Sequence, residues 1–313
     1  MSYEKVAEVL GRIGGICVSV TSGWRESQDC GKKLRALETA DRALAMMAPI
    51  KWDPPSRRQK RDVRMGASLD GAMISIRGEG WKELKIGSVF DVEVRAEQDK
   101  PTGEMTELAH AVHNSYVAHL GGPETFGELL WAEARRRDWE KAQDTEVIGD
   151  GAPWIWNSAS LHFAESRQLV DWYHAKEHLI AAGHALKGDD AIAFPRWLNS
   201  HTTTLYQGHA ACIADELTTA STTQSDITEV LIREADYFRN NQRRMNYLEM
   251  REEEWLIGSG MIESAAKQFK ARFCGPGMRW SRTGAQNLIP IRAAIISHRF
   301  DELWSRTWNS PPI

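Results

Sequence analysis

The sequence has few cysteines and no long apolar run. Its four cysteines, at positions 17, 30, 212 and 274, form no Cys-x-x-Cys pair, which excludes a zinc ribbon and a redox motif of that type. No segment reaches the roughly eighteen apolar residues of a transmembrane helix, and the N-terminus lacks the apolar run of a signal peptide. We therefore expect a soluble cytoplasmic protein with no membrane partner.

Net charge is also small, at −4 from 39 Lys and Arg against 43 Asp and Glu, which at first sight argues against a nucleic-acid partner. The charges are unevenly distributed, however. After Glu263 there are eight basic and two acidic residues, so this part carries +6 and the first 263 residues carry −10. An acidic body with a basic C-terminal part indicates one surface that binds a polyanion.

The first sixty residues read as helical. Apolar residues at helical spacing end at Gly14-Gly15, and a second helical segment follows. Two interpretations stay open: a helix-turn-helix that binds DNA, or two packed helices of a small bundle. The next segment, 51–64, holds two prolines and a dense basic run. It predicts a linker that is either solvated or follows a phosphate backbone.

The middle of the sequence alternates between strand and helix patterns. β-branched, alternating segments predict strands at 63–76, 81–86, 88–95, 145–149 and 168–171. Apolar residues three and four apart predict helices over 123–142, throughout 173–250, and over 261–304, the last region being broken at Gly275-Pro276-Gly277. Three meander strands followed by two strands reached through helices is the order of a ribonuclease H-like fold. The predicted fold class is therefore α/β, a mixed five-stranded sheet flanked by helices.

This order divides the chain into four parts. The predicted parts are a small helical N-terminal region over 1–60, a first part of the ribonuclease H-like core over 61–172, an all-α insertion over 173–255, and the final core helices over 256–313. The insertion thus precedes the last core helix.

Three acidic residues occupy the places where this fold would bring them together. Asp70 lies within the first strand and Asp150 ends the fourth, each followed by Gly-Ala, and Glu263 enters a helix within Gly-Ser-Gly-Met-Ile-Glu-Ser. Taken singly, Asp-Gly is a common turn and glutamate is favoured in a first helical turn. Because the first and fourth strands are neighbours in the fold, we expect the three carboxylates to converge. Three convergent carboxylates are the ligands that two Mg²⁺ ions need to act on a phosphodiester.

At this point the sequence resembles a known family. The segments SLDGAMISIRGEGWKELKIGSVFDVE, VIGDGAPWIWN, LVDWYHAKEHL and IGSGMIESAAKQFKARFCGPGMRWS are similar to the DDE transposases of bacterial insertion sequences, the ISKra type of the Mutator-like superfamily. The similarity covers essentially the whole chain. It is most specific at the two Asp-Gly-Ala segments and at Gly-Ser-Gly-Met-Ile-Glu-Ser.

The resemblance implies a function and assigns residues to it. Asp70, Asp150 and Glu263 would be the catalytic, metal-binding triad, and Asp171 and His174 would match the Cys/Asp-x-x-His element that supports it. The activity would be metal-dependent hydrolysis at the ends of the mobile element, followed by transfer of the 3′-hydroxyl into target DNA. Mg²⁺ would be the cofactor, two ions with Mn²⁺ able to substitute. The partners would be double-stranded DNA and further copies of the chain, as a homodimer or higher oligomer, in the bacterial cytoplasm with the nucleoid.

Two other functions remain open. Relatives carry an N-terminal extension with metal-ligand cysteines, and this sequence begins after that point, so a truncated or domesticated transposase that binds or regulates DNA is one alternative. The other alternative is a zinc hydrolase, because His174, Glu177 and His178 form the H-x-x-E-H pattern, with both histidines on one helix face and the glutamate able to activate water.

Basic and aromatic residues follow Glu263 directly. The predicted DNA-binding residues are Lys267, Lys270, Arg272, Arg279, Trp280 and Arg282. Trp280 has two interpretations, a ring that stacks on an unpaired base or a core residue flanked by solvated arginines. A second basic patch over 239–251, which includes Arg243-Arg244, would meet DNA or another subunit.

Overall fold

A mixed five-stranded sheet forms the centre of the protein. The structure, a computed structural model, describes residues 2–47, 63–98, 105–223, 225–275 and 277–309. The strands are β1 (Arg64–Ile76), β2 (Gly80–Gln98), β3 (Met105–His119), β4 (Asp144–Gly149) and β5 (Arg167–Val170). Their order is β3-β2-β1-β4-β5, with β1–β3 antiparallel and with β4 and β5 parallel to β1. This confirms the predicted fold class, and β1 and β4 are neighbours.

The meander differs from the prediction in one respect. The segments predicted as separate strands at 81–86 and 88–95 belong to the single strand β2, and the third strand is formed by residues 105–119. Gly87 continues the strand because a helix approaches its backbone: a Cβ at this position would lie 2.8 Å from Leu130 and 3.0 Å from Phe126. The glycine is therefore required for close packing and does not mark a turn.

The helices cover both faces of the sheet. They are α1 (Tyr3–Gly14), α2 (Val20–Met47), α3 (Pro123–Arg136), α4 (Pro153–His162), α5 (Trp172–Lys187), α6 (Ala193–Tyr206), α7 (Ala210–Ser221), α8 (Thr228–Asn241), α9 (Tyr247–Glu252), α10 (Gly260–Phe273), α11 (Arg282–Ile296) and α12 (Phe300–Asn309). On one face α3 and α4 pack against Ala67 and Leu69 of β1. On the other face α10 and α11 pack against Ala72 and Ile74 of the same strand. Successive residues of β1 thus point to opposite layers.

The stretch from 173 to 250 is helical, as predicted, and forms α5 to α9. Its two ends lie side by side, because the backbone N–H of Trp172 donates to the carbonyl oxygen of Ile257 at 2.9 Å. The helices pack on the core through buried residues such as Phe238 and Tyr247.

The N-terminal helices differ in how they pack. Helix α1 ends at Gly15, whose φ of 63° is left-handed, and it has no buried residue. Helix α2 packs closely on α11: a Cβ on Gly31 would lie 1.8 Å from the carbonyl oxygen of Asn287. The basic linker predicted for 51–64 lies almost wholly outside the described residues. Within the described part of the chain, no helix combines the length and the apolar character needed to cross a membrane.

Candidate active site

Asp70 and Asp150 are neighbours across two parallel strands. Leu69 of β1 pairs with Gly149 of β4. Asp70 follows Leu69 and Asp150 follows Gly149, so the two aspartates occupy matching positions on the two strands. Neighbouring strands lie about 4.8 Å apart, and side chains at matching positions of parallel strands point to the same face. Backbone N–H groups orient both carboxylates, that of Gly71 donating to Asp70 Oδ1 at 2.6 Å and that of Ala152 donating to Asp150 Oδ1 at 2.8 Å.

The two carboxylates share the face that α10 covers. Asp70 pairs with Ile86 of β2, which lies in the same apolar cluster as Ile262 and Ala266 of α10. Glu263 therefore lies on the helix that packs over the strand carrying Asp70. The strand order predicted from the sequence accounts for this arrangement.

The charge of Asp150 also acts on Asp70. Burial raises the pKa of Asp70 above its usual range, and the negative charge of Asp150 raises it further. The Gly71 N–H and the positive charges of His174 and Lys270 offset part of this shift. Two close carboxylates that are only partly balanced by cations form a site of excess negative charge, which a divalent cation would relieve.

Asp171 connects this site to the start of α10. Its carboxylate is fully buried, and one oxygen accepts from the backbone N–H groups of Tyr173 at 2.7 Å and His174 at 3.0 Å. The other oxygen accepts from the backbone N–H of Ser259 at 2.5 Å and from its hydroxyl at 2.6 Å. Ser259 immediately precedes α10, so one carboxylate holds the end of β5, the first turn of α5 and the approach to α10 together.

His174 is held as a cation beside the aspartates. Its Nδ1 lies 3.3 Å from Asp171 Oδ1, and this hydrogen bond is the main reason that the pKa of His174 rises to about 9. The charges of Asp171, Asp150 and Asp70 raise the pKa as well, against the effect of burial. At neutral pH the imidazolium therefore balances part of the carboxylate charge. The supporting role predicted for Asp171 and His174 stays a prediction.

Glu263 is not assembled with the aspartates. Its side chain is 37% exposed, and its ion-pair contact is with Lys267, at 3.7 Å. Across the described residues, no three His, Cys, Asp or Glu side chains stand close enough to hold one metal ion. Asp70 and Asp150 are thus neighbours whose charges act on His174, whereas Glu263 lies on the covering helix α10.

The loop that carries Asp150 is supported by the helical insertion. Tyr237 of α8 donates its hydroxyl to the carbonyl oxygen of Asp150 at 2.9 Å. His178 stacks on the Tyr237 ring with centroids 3.5 Å apart, and His178 Nδ1 lies 2.5 Å from Glu234 Oε2. Gly151 has a φ of 102°, and a Cβ there would come within 2.7 Å of Tyr237. The second histidine of the H-x-x-E-H pattern therefore supports the tyrosine that holds the Asp150 loop.

The H-x-x-E-H pattern would require His174 and His178 to bind zinc and Glu177 to activate water. Both histidines bond a carboxylate through Nδ1, as zinc-bound histidines often do. The hydrogen bond to Asp171 raises the pKa of His174 to about 9, so a zinc ion bound there would have to displace its proton. Glu177 is exposed.

The predicted DNA-binding residues occupy two kinds of position. Lys267 and Lys270 are exposed on α10, and Lys270 is close enough to Asp70 to lower its pKa. Arg279 is also exposed. These three side chains lie where phosphates could reach them.

The other three residues of that set make intramolecular contacts. The Arg272 guanidinium lies 5.0 Å from the centroid of the Trp280 ring, and the Trp280 Nε1–H donates to the carbonyl oxygen of Phe273 at 2.9 Å. Arg282 bonds Glu79, with its Nε 2.9 Å from Oε1. Packing thus accounts for much of the Trp280 surface, and its role in stacking on a base stays a prediction.

Several residues of the site have no signal of their own in the sequence. Tyr237 and Glu234 lie far from Asp150 along the chain and occupy an ordinary amphipathic helix. Ser259, 2% exposed, is the exception, because it stands between two glycines ahead of a helix, where capping residues are common.

Comparison with known proteins places the chain in a family. The model of the Uncharacterised protein family (UPF0236) matches residues 123–302, more than half of the chain. The chain belongs to UPF0236. The match begins at the first residue of α3 and ends within α12, so it contains Asp150, Asp171 and Glu263, and Asp70 precedes it. No curated protein matches this UPF0236 chain.

Proposed function

We propose that this UPF0236 chain is a DNA transposase of an insertion sequence. The observation that carries the proposal is the pairing of Asp70 and Asp150 at matching positions of adjacent parallel strands, on the face covered by the helix of Glu263. The resemblance to DDE transposases assigns the catalytic triad to these same three residues. The reaction would be hydrolysis of a phosphodiester at the element end, followed by attack of the freed 3′-hydroxyl on a phosphodiester of target DNA.

The donor set fits Mg²⁺. Asp70, within β1, and Asp150, which directly follows β4, supply hard oxygen ligands. Burial is the main cause of the raised pKa of Asp70 and the charge of Asp150 adds to it, and bound cations would relieve this repulsion. Glu263 would complete the ligand set from α10. When bound, Mg²⁺ would neutralise phosphate charge and lower the pKa of the attacking water, and Mn²⁺ would substitute for it.

The remaining residues position the carboxylates and the DNA. Asp171 fixes the approach to α10 through Ser259, Tyr237 holds the carbonyl of Asp150, and the His174 cation limits repulsion between the aspartates. Lys267 and Lys270 place positive charge beside the site, where a phosphate backbone needs neutralisation. A site of this kind needs no serine or histidine nucleophile, because positioning and charge neutralisation supply the rate enhancement. Pairing two element ends would require at least a homodimer.

Cleavage of the DNA that flanks the gene tests the proposal. Purified protein is incubated with duplexes that cover the genomic flanks of its coding sequence, in Mg²⁺, Mn²⁺ or EDTA. We expect a metal-dependent nick that leaves a 3′-hydroxyl, and its loss in D70N, D150N and E263Q. D144N is the matched control, because Asp144 begins the strand that Asp150 directly follows, and its carboxylate pairs with Arg167.

Three results would contradict the catalytic proposal. Equal inactivity of the wild type and D150N on these duplexes in both metals would leave no catalytic role for the carboxylate. Retained binding without nicking would favour the truncated or domesticated DNA-binding protein. Stoichiometric zinc that is lost in H178A would instead favour the hydrolase that the H-x-x-E-H pattern suggests.

A further inference from the structure

An open groove lies at the edge of the sheet beside β5. It has a volume of about 600 Å³ and is lined by the start of β5, the C-terminal end of α8 and the turn that follows α8. We call it the β5-edge groove, and its defining side chains are Gln168, Arg239, Gln242, Arg243 and Arg244. No Asp or Glu is among its lining residues, although the first 263 residues carry a charge of −10.

Two of the three arginines in the groove lack an acidic partner. Arg239 pairs with Asp215 and Asp236, both at 3.4 Å. The exposed Arg243 side chain, by contrast, makes no hydrogen bond or ion pair with any part of the chain that the structure describes. Its positive charge is thus available to an anion.

Arg244 is the more informative of the two. Its Nε donates to Gln168 Oε1 at 2.8 Å, and its guanidinium lies 4.6 Å from the centroid of the Trp156 ring. Among the described residues it has no carboxylate partner, although it is partly buried. A neutral amide and an aromatic face orient this guanidinium without neutralising it, and a planar fork of donors held in this way suits phosphate oxygens.

The groove is separate from the catalytic face. Gln168 pairs with Val147, so its side chain points to the sheet face opposite that of Asp150. Asp171 is the residue of the β5 side that lies beside Asp150, because the preceding pair is Gly149 with Val170. Gln168 lies three residues before Asp171, so Gln168 and the position beside Asp150 are about 10 Å apart along the strand. A polyanion bound in the groove would therefore touch a surface distinct from Lys267 and Lys270 on α10.

We infer that the β5-edge groove binds the sugar-phosphate backbone of duplex DNA through Arg243 and Arg244. That the phosphates belong to DNA rests on the proposed function. The lining favours a backbone over unpaired bases, because the Trp156 ring is 6% exposed and faces Arg244, so no aromatic surface is free for stacking. It also favours a backbone over an acidic peptide, because polar side chains line the groove and leave no apolar pocket to anchor a side chain.

The salt dependence of DNA binding tests this inference. Full-length protein is titrated against a labelled duplex in EDTA, by fluorescence anisotropy, at a series of salt concentrations. The double variant R243A/R244Q should reduce the slope of log K against log salt by about 1.8, since each lost phosphate contact removes about 0.9. R196A is the matched control, because Arg196 is exposed on α6 of the same insertion, outside the groove, and its slope should equal that of the wild type.

Further variants separate charge from folding. R243E changes only an exposed side chain and should weaken binding more than R243A does, whereas R244K keeps the charge and should retain part of the slope. If folded R243A/R244Q protein bound the duplex with the same slope of log K against log salt as the wild type, the inference about the β5-edge groove would be wrong. The proposed function would be unaffected by this result. The inference would also be wrong if R243A/R244Q lost the binding of an acidic peptide but bound DNA as the wild type does. Absence of any duplex binding by the wild type would overturn both proposals, whereas failure of nicking alone would overturn only the catalytic one.

Discussion

The Asp171→Asn substitution should cost far more stability than its size suggests. The change is isosteric, but one carboxylate oxygen accepts from Tyr173 and His174 and the other accepts twice from Ser259. Whichever way the amide is placed, its NH₂ group therefore faces backbone donors. The substitution also removes the charge that pairs with the His174 cation.

The size of the effect follows from burial. Asp171 is fully buried, and removal of one partner from a buried charged pair costs about 3–5 kcal/mol. A loss of this size is a large fraction of the about 5–15 kcal/mol by which proteins of this kind are stable. S259A is a milder version, because it removes only the hydroxyl bond, and we expect it to cost about 1.5–3 kcal/mol.

Urea unfolding followed by tryptophan fluorescence measures both changes. D144N is the control, because its carboxylate is 41% exposed and its pair with Arg167 should contribute less than about 1 kcal/mol. A second measurement follows the His174 ring by NMR, and its pKa should fall from about 9 when the Asp171 carboxylate is removed. If D171N unfolded within 1 kcal/mol of the wild type and left the His174 titration unchanged, the described hydrogen bonds would not be what holds this site.

Three further predictions concern β4 and the Asp150 loop. Burial raises the pKa of Glu146 well above its usual range, so the folded protein loses stability as the pH rises above the ordinary value of about 4.5. E146Q should remove this loss, so its stability relative to the wild type in urea unfolding should grow as the pH rises above that value, by at most about 1.4 kcal/mol per pH unit. G151A should cost about 1–3 kcal/mol in the same assay, because φ is 102° and the new methyl group meets Tyr237; a neutral effect would contradict the geometry. H178A should leave the metal content of the purified protein unchanged by elemental analysis and lower its melting temperature, because the ring is stacked on Tyr237 and bonded to Glu234.

The sequence was a good guide wherever burial produced a regular pattern. Strand β1 alternates between two apolar layers and β4 is buried along most of its length, so both strands and their neighbouring aspartates could be predicted. The long insertion was also recognisable, because residues at helical spacing pack on the core throughout it.

The errors arose where local residues serve distant contacts. Gly87 resembles a break between strands, but α3 packs against it. Strand β3 lies at the sheet edge and is exposed or half-buried over most of its length, so it lacks the alternation that marks a strand. The contacts of Tyr237 with Asp150 and of Asp171 with Ser259 join residues far apart in sequence, and no local pattern predicts them.

The adjacent ends of the insertion have a mechanical consequence. The chain enters the insertion at Trp172 and leaves it at Ile257, where a backbone hydrogen bond and the Asp171–Ser259 contacts form a clasp. When the molecule is pulled by its two termini, tension crosses this clasp and does not pass through α5 to α9. The helices of the insertion thus carry no force until the clasp opens. In a pulling experiment, unfolding of the segment between Trp172 and Ile257 should then appear as a separate increase in chain length of up to about 30 nm.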